Sequence, residues 1–193
     1  MKHVIVVGAP TKVDRELISQ EVFIGERMAR VDKRTVSASL KKFSWLNDAQ
    51  VERNWIKSSI TIKVKVRLPL AKFGKSFVDS EGVLFSLPHP ERFAVPNILA
   101  ASTQARRFAA DLIESLPASF RKDVGVVSVE GMQSATLLIE KTAQKRKQEI
   151  LVRWGDSSNT SLKVRVFQSL LALPENSTIV FMDLSAPHAP IVR

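Results

Sequence analysis

The sequence predicts an α+β protein, in which a β-α-α-β-β unit is followed by a mixed β domain with flanking helices. Between Ile60 and Leu68 every second residue is apolar and the residues between them are polar, as in a strand with one buried face. Two short helical patterns precede this strand, and further strand patterns with two longer helical patterns follow it. In the first unit, two helices can therefore cover one face of a small sheet.

The composition is that of an ordinary globular protein with one sizeable core or two modest ones. The chain has 193 residues, of which 45% are hydrophobic and 25% are charged. No apolar run approaches the roughly 20 residues that cross a bilayer, and the apolar stretch 4–7 is too short for the core of a signal peptide. Because a strand pattern begins almost at Met1, we expect the chain to be excised from a longer product.

The charge of the chain favours anionic partners. The formal net charge is +10 and the pI is near 10.2, which favours contact with nucleic acid or with anionic lipid head groups. A solvated basic surface explains the charge equally well. The absence of cysteine excludes disulfides, thiolate metal sites and cysteine nucleophiles, but it fits either redox compartment.

Catalytic chemistry is not predicted. None of the three histidines is at the spacing of metal ligands, and Gly8 stands alone where a dinucleotide fingerprint needs three glycines. Asp79 and Glu81 could form an acid-base pair, but carboxylates and a glycine are typical of a tight turn, so we predict a hairpin with Gly82 at positive φ. We predict no enzyme and no catalytic, cofactor-binding or metal-binding residue.

In the first unit, the elements follow from local signals. A β-rich run occupies His3–Val7. Asp14 is predicted to cap a first helix that Gly25 ends, and Asp32 is predicted to cap a second helix. Residues 49–55 are predicted to pair with the alternating strand in an antiparallel hairpin.

In the second domain, strand and helix patterns alternate and prolines mark the helix ends. Four apolar residues at helical spacing mark a last helix that Pro174 stops: Leu162, Val166, Leu170 and Leu173. The other predicted elements are a helix over 103–116, strands over 124–129, 135–140 and 150–154, and a last strand over 178–184.

A polar segment over residues 141–148 is predicted to be an exposed hairpin tip. It contains four cations, which could bind nucleic acid or lipid phosphate: Lys141, Lys145, Arg146 and Lys147. No aromatic residue of the kind that stacks on bases lies in the segment. A basic nucleic-acid-binding module that uses this loop is the alternative function, and we do not expect nucleic acid to be the partner.

The three tryptophans are predicted to pack in the core or at the joint between the domains. Trp45, Trp55 and Trp154 each follow a strand or helix pattern among apolar neighbours. Large aromatic side chains also anchor many interfaces, which is the alternative role.

Several short motifs in order resemble one family. They are Phe43-Ser44-Trp45-Leu46, the segments 51–55, 67–71 and 78–82, the run 150–156 with Lys163, and the ending 182–187. Together they resemble the bacterial cell-division family FtsQ/DivIB, particularly its actinobacterial members. The chain departs from that family at Ile56, where proline is usual, and at Val66, where glutamate is usual.

The resemblance implies a non-enzymatic divisome scaffold without a cofactor. It implies a POTRA domain over residues 2–68 and an FtsQ-type β domain over residues 69–193. The intact protein would carry a transmembrane helix before Met1 and would act at the extracytoplasmic face of the cell membrane, at the division septum. Its implied partners are division proteins of the FtsB and FtsL type.

The same resemblance implies that the C-terminal strand binds the FtsB-type partner. We expect a partner segment to pair with an exposed edge of this strand, with Phe181, Met182 and Leu184 supplying apolar contacts. Pro187 and Pro190 are expected to end the pairing because proline lacks a backbone donor. The predicted partner-binding residues are Ile179, Val180, Phe181, Met182, Asp183, Leu184 and Ser185.

Overall fold

The computed structural model of the chain describes residues 3–22, 25, 27–131, 133–143 and 146–193, with backbone only at 142, 143, 146 and 147. The chain divides into two compact units. The N-terminal unit comprises Met1–Leu68 with Ser86–Pro88, and the C-terminal unit comprises Pro69–Phe85 with His89–Arg193. Both units combine helices with a sheet, so the predicted α+β class is confirmed.

The N-terminal unit has the predicted β-α-α-β-β order. Its three-stranded sheet has the order β1-β3-β2, in which β1 is parallel and β2 antiparallel to β3. The elements are β1 (His3–Val7), α1 (Lys12–Ser19), a 3₁₀ helix at Met28–Arg30, α2 (Lys33–Leu40), β2 (Leu46–Asn54) and β3 (Ser59–Val66).

The alternating pattern of β3 forms the centre of the N-terminal core. Ile60, Ile62 and Val64 are buried, whereas Leu68, beyond the end of the strand, is 76% exposed. From the helices, α1 and α2 bury Ile18 and Leu40 among others. The predicted hairpin is therefore correct, and its buried face ends before Leu68.

The N-terminal helices begin at side-chain caps. Asp32 accepts a hydrogen bond from the backbone N–H of Arg34 at 3.0 Å, which confirms the predicted cap of α2. The cap of α1 is Thr11, not Asp14: Thr11 Oγ1 accepts from the backbone N–H of Asp14 at 3.1 Å and donates to its carboxylate at 2.7 Å. The prediction missed the reciprocal pairing of a cap with the residue three positions later.

The predicted end of α1 at Gly25 is also wrong, because the helix ends at Ser19.

Gly8, after β1, has φ +93°, and a Cβ on it would lie 2.2 Å from the carbonyl oxygen of Val64 on β3. Glycine is needed at this position because two backbones approach closely there.

The C-terminal unit is built on a nine-stranded sheet with the order β12-β11-β10-β9-β8-β7-β4-β5-β6. Strand β7 is parallel to β4 and β8, β11 is parallel to β10, and the other neighbours are antiparallel. Its elements are β4 (Ala71–Phe73), β5 (Ser76–Val78), β6 (Leu84–Phe85), β7 (Asn97–Ala100), α3 (Thr103–Ser115), α4 (Ala118–Arg121), β8 (Val124–Glu130), β9 (Ser134–Ala143), β10 (Arg146–Gly155), α5 (Thr160–Leu171), β11 (Phe181–Asp183) and β12 (Ile191–Val192), with 3₁₀ helices at Pro90–Arg92 and Pro174–Asn176.

One hydrophobic cluster joins α3, α5 and the middle strands of this sheet. At its centre, the Phe120 ring lies edge-on to Phe167 with centroids 5.3 Å apart, and 5.8 Å from the ring of Trp154. Paired residues on four neighbouring strands, Val127, Leu137, Val152 and Met182, are all fully buried. These residues define the core face of the sheet.

The segment 79–82 is a turn, as predicted. Asp79 accepts hydrogen bonds from the backbone N–H groups of Glu81 at 3.0 Å and Val83 at 2.8 Å, and Gly82 has φ +74°. The carboxylate of Asp79 is therefore occupied in holding the β5–β6 connection.

The predicted last helix is present as α5, but its most deeply buried residues are not the four that mark it in the sequence. The helix buries Thr160, Lys163, Val164 and Phe167, whereas Leu162, Val166 and Leu170 line a shallow surface groove, and Leu173 is exposed beyond the helix end. Apolar residues lie on two sides of this helix, and the more deeply buried side also carries Lys163.

The ammonium of Lys163 ties α5 to the end of β10. Nζ donates to the carbonyl oxygens of Trp154 and Asp156, both at 2.9 Å, and to the Asp156 carboxylate at 3.1 Å, while the side chain is completely buried. Nζ also lies 5.8 Å from the Trp154 ring centroid. A charged group is tolerated in this place because donors and acceptors are matched.

Asp156 carries the counter-charge at the surface. A hydrogen bond from the Ser158 hydroxyl and one from the Lys163 ammonium hold the pKa of Asp156 below its ordinary value. Because the folded pKa is the lower one, the stabilisation from this carboxylate is complete above its ordinary pKa and is lost as the pH falls through the folded pKa.

Replacing Lys163 with methionine keeps most of the side-chain volume and removes the donors. Two backbone carbonyls then lose their partner, and we expect the free energy of unfolding to fall by about 2–4 kcal/mol in urea titrations. Lys75→Met, at an exposed position, is the control and should leave the midpoint unchanged. An unchanged midpoint in Lys163→Met would show that the ammonium does not hold the end of β10.

Asp156→Asn tests the acid dependence. As the pH falls from about 5 towards 2, the wild type should lose the stabilisation from this carboxylate, and the variant should lose less stability over the same range. Urea titrations at several pH values measure this difference. Asp111→Asn, an exposed carboxylate on α3, is the control and should keep the wild-type slope; equal slopes for all three proteins would refute the assignment.

Candidate interaction surface

The C-terminal edge of the large sheet differs from the prediction. The last predicted strand, residues 178–184, is shortened to β11, which is parallel to β10 on one side and antiparallel to β12 on the other. The edge of β11 is therefore occupied within the chain itself. Beyond Pro187 and Pro190 the chain turns back, and Ile191 pairs with Asp183.

The seven predicted partner-binding residues differ in exposure, and within β11 the pleat buries Met182 while Phe181 and Asp183 lie on the other face. Ile179, Met182 and Leu184 are buried in the core, so the prediction that Met182 and Leu184 supply apolar contacts to a partner is wrong. Four residues remain accessible to different degrees: Val180, which is 64% exposed, Ser185, which is exposed, and Phe181 and Asp183, which are half-buried.

Asp183 organises the exit of the chain from β11. Its Oδ1 accepts from the backbone N–H and the hydroxyl of Ser185 at 2.9 and 2.6 Å, and its Oδ2 lies 3.7 Å from Arg153 Nη1. Burial acts to raise the pKa of Asp183, but the hydrogen bonds from Ser185 and the charge of Arg153 together hold that pKa below its ordinary value. The carboxylate is therefore ionised at neutral pH.

In the part of the chain that the structure describes, β12 is the outermost strand at this end of the sheet. The backbone N–H of Arg193 donates to the carbonyl of Phe181 at 3.0 Å, and the carbonyl of Arg193 accepts from the N–H of Phe181 at 3.2 Å. These two residues therefore form a hydrogen-bonded pair. Backbone groups alternate in direction along an antiparallel strand, so those of Val192 point away from β11. One donor and one acceptor thus face outward from β12.

A row of partly exposed apolar residues crosses the other face of the sheet and leads towards this edge. Val126, Leu138, Leu151 and Phe181 are in register on β8, β9, β10 and β11, and Leu151 is 43% exposed. We call these four residues the apolar row. The sequence contains one sign of it, because β9 and β10 have apolar residues on both faces, as Leu137-Leu138 and Leu151-Val152 show.

The predicted basic loop is mostly strand. Strand β9 runs to Ala143 and β10 starts at Arg146, so Lys141 is paired with Gln148. The Lys141 side chain is half-buried, with Nζ 5.4 Å from the centroid of Phe167. Lys145 lies outside the described residues, as do the side chains of Arg146 and Lys147.

Two of the three tryptophans pack as predicted. Trp45 and Trp154 are buried, but Trp55 is 58% exposed, which corrects its predicted packing. The reason is that β2 ends at Asn54, so Trp55 starts the turn to β3. The guanidinium of Arg53 lies over the Trp55 ring, 5.6 Å from the ring centroid, in a cation–π contact.

Among the described residues, no cluster of three or more histidine, aspartate or glutamate side chains is arranged to hold a metal ion. His89 lies 3.9 Å from Glu91 near the 3₁₀ helix that follows it. In the same part of the chain, no helix is both long and apolar enough to cross a membrane.

Comparison with known proteins identifies the N-terminal unit. A search of curated proteins returned no match. Residues 1–67, however, match the family described as "POTRA domain, FtsQ-type", which corresponds to the β-α-α-β-β unit. The N-terminal unit is therefore a POTRA domain of the FtsQ type, and a domain of this type indicates a division-related scaffold.

Proposed function

We propose that the chain is the extracytoplasmic part of a division scaffold that binds partners of the FtsB and FtsL type at the septum. In this proposal, residues 2–68 are the POTRA domain and residues 69–193 are the FtsQ-type β domain. A transmembrane helix before Met1 would anchor the protein. The observation that carries the proposal is the outward-facing backbone of β12 next to the apolar row, in a chain with an FtsQ-type POTRA domain.

The binding step is the addition of a partner strand to β12. The N–H and C=O of Val192 start the new ladder, and main-chain hydrogen bonds of this kind provide affinity without requiring a particular partner sequence. Ile191 is half-exposed and lies on the same face of the sheet as Asp183. A partner strand added to β12 would pack next to Ile191. Val192 faces the other way and packs against the core, which anchors β12.

The apolar row provides the side-chain contacts. A short ladder alone gives little net free energy, because each hydrogen bond replaces one to water. Burial of apolar surface on Phe181 and Leu151 adds a term that grows with the area removed from water. In this arrangement, the predicted segment 179–185 acts in two ways: Val180, Phe181 and Ser185 are accessible to the partner, and the buried residues hold β11 in place.

The scaffold works without catalysis in this proposal. The carboxylates of Asp79, Asp156 and Asp183 are each engaged in hydrogen bonds that hold turns or strand ends. A binding surface needs such rigid support more than it needs reactive groups, because a preorganised edge loses less entropy when the partner strand adds to it.

Val192→Pro tests the ladder. Proline removes the outward N–H while the hydrogen bonds between Arg193 and Phe181 can remain, so we expect capture of an FtsB–FtsL pair by the purified chain to fall about tenfold or more. Circular dichroism and the urea midpoint check that the fold is kept. Val192→Ala, which keeps the N–H, is the matched control. Capture that falls equally in both variants would contradict strand addition.

Leu151→Lys tests the apolar row. A charge at its centre should weaken capture of the same pair by about tenfold, because the ammonium must be desolvated in the complex. Leu99→Lys is the matched control, since Leu99 is a 58% exposed leucine on β7, outside the row. If Leu99→Lys reduces capture as strongly as Leu151→Lys does, the effect comes from added charge and the row is not the contact surface.

A further inference from the structure

The turn between β2 and β3 exposes two large apolar side chains. Ile56 is 98% exposed and Trp55 is 58% exposed. We call these two residues the Trp55–Ile56 tip.

The tip is held in place by its own turn. The backbone N–H of Lys57 donates to Asn54 Oδ1 at 2.9 Å, and the N–H of Ser58 donates to the carbonyl of Trp55. Ser58 adopts a positive φ of 47°, which closes the turn into β3. The two side chains are therefore presented on a structured turn, and ordering them on a binding surface costs little backbone entropy.

Positive charge surrounds the tip. The guanidinium of Arg53 lies over the Trp55 ring, and Lys57 follows Ile56 and is exposed. The charge of the whole protein is also concentrated in this unit: residues 1–68 contain 14 lysines and arginines against 7 aspartates and glutamates, whereas residues 69–193 contain 15 against 12. An apolar tip within a basic unit is complementary to a partner with an apolar interior and an anionic surface.

The register of the small sheet shows at which end of the sheet the tip lies. Strand β1 is parallel to β3, with His3 opposite Ser59, so the tip lies at the end of the sheet where β1 begins. Any segment that leads into His3 arrives at this same end. In the proposed function that segment is the membrane anchor, and the present inference rests on that part of the proposal.

We propose that the Trp55–Ile56 tip inserts into the interface of an anionic lipid bilayer. Tryptophan rings are enriched at the head-group level of membranes, where their apolar body and N–H both find suitable surroundings. Ile56 reaches the acyl boundary, while Arg53 and Lys57 contact lipid phosphates. A protein groove could also accept the tip, but the flanking cations, the basic unit and the position beside the start of β1 favour the bilayer.

Fluorescence quenching on vesicles tests this contact. The full chain, carrying an N-terminal hexahistidine tag, is bound to phosphatidylcholine vesicles that contain nickel-chelating lipid and acyl-brominated lipid, with or without phosphatidylglycerol. Trp45 and Trp154 are buried, so quenching by the acyl bromines should come from Trp55 and should vanish in Trp55→Phe. We expect stronger quenching when phosphatidylglycerol is present.

Two pairs of variants separate the tip from general adhesion. Ile56→Ser should reduce quenching by at least about twofold, and Leu68→Ser should not, since Leu68 is exposed beyond the other end of β3. Lys57→Gln should reduce quenching in the anionic vesicles more than Lys65→Gln does, because Lys65 is exposed near that other end. Equal effects within either pair, or an absence of quenching in the wild type, would overturn the proposal.

Quenching and capture together distinguish a failure of the bilayer contact from a failure of strand addition at β12. Two results together would refute the bilayer contact: lipids do not quench the wild type, and a Trp55→Ser/Ile56→Ser chain loses capture of the FtsB–FtsL pair. The tip would then be a protein contact. Wild-type capture without quenching would refute the tip alone and leave strand addition at β12 in place. Quenching without capture would refute strand addition and support the tip.

Discussion

The C-terminal unit depends on one buried charge. Lys163 holds the carbonyl of Trp154 near the end of β10 and that of Asp156 just beyond the strand. Strand β11 pairs in parallel with β10, and β12 pairs with β11 in antiparallel fashion. A strand end that frays would also release the Arg153–Asp183 contact and the turn after β11. Because the buried ammonium has matched acceptors, its burial stabilises a defined geometry, whereas an unmatched charge would destabilise the unit.

The consequence for binding is that a rigid edge is built from very little chain. Strand β12 has only two residues, and a strand of that length is stable only because its inner face packs on the core and its neighbour is fixed. Short edge strands also protect a protein from uncontrolled pairing. An edge with one outward donor and one outward acceptor can therefore favour a partner that adds side-chain contacts along the apolar row, and it excludes strands that offer backbone alone.

The two units present different chemistry. The N-terminal unit concentrates positive charge and exposes an apolar tip. The C-terminal unit is closer to charge balance and exposes an apolar row near β12, which among the described residues is the outermost strand at that end of the sheet. Charge and an aromatic tip suit a lipid interface, and an edge with apolar neighbours suits a polypeptide. In the two proposals, the first kind of surface contacts the membrane and the second contacts partner proteins.

The sequence by itself determined the β-α-α-β-β order of the N-terminal unit, the β2–β3 hairpin, the cap at Asp32 and the turn at Asp79–Gly82. Each of these depends on residues within a few positions of one another, so periodicity and side-chain capping suffice. The tertiary structure alone decided which strand is outermost, which side of α5 is buried and why Lys163 can lie inside. It also decided that Met182 is core while Trp55 is exposed. These outcomes depend on partners far apart in the chain, such as Phe181 with Arg193 and Lys163 with Trp154, and no local pattern contains that pairing.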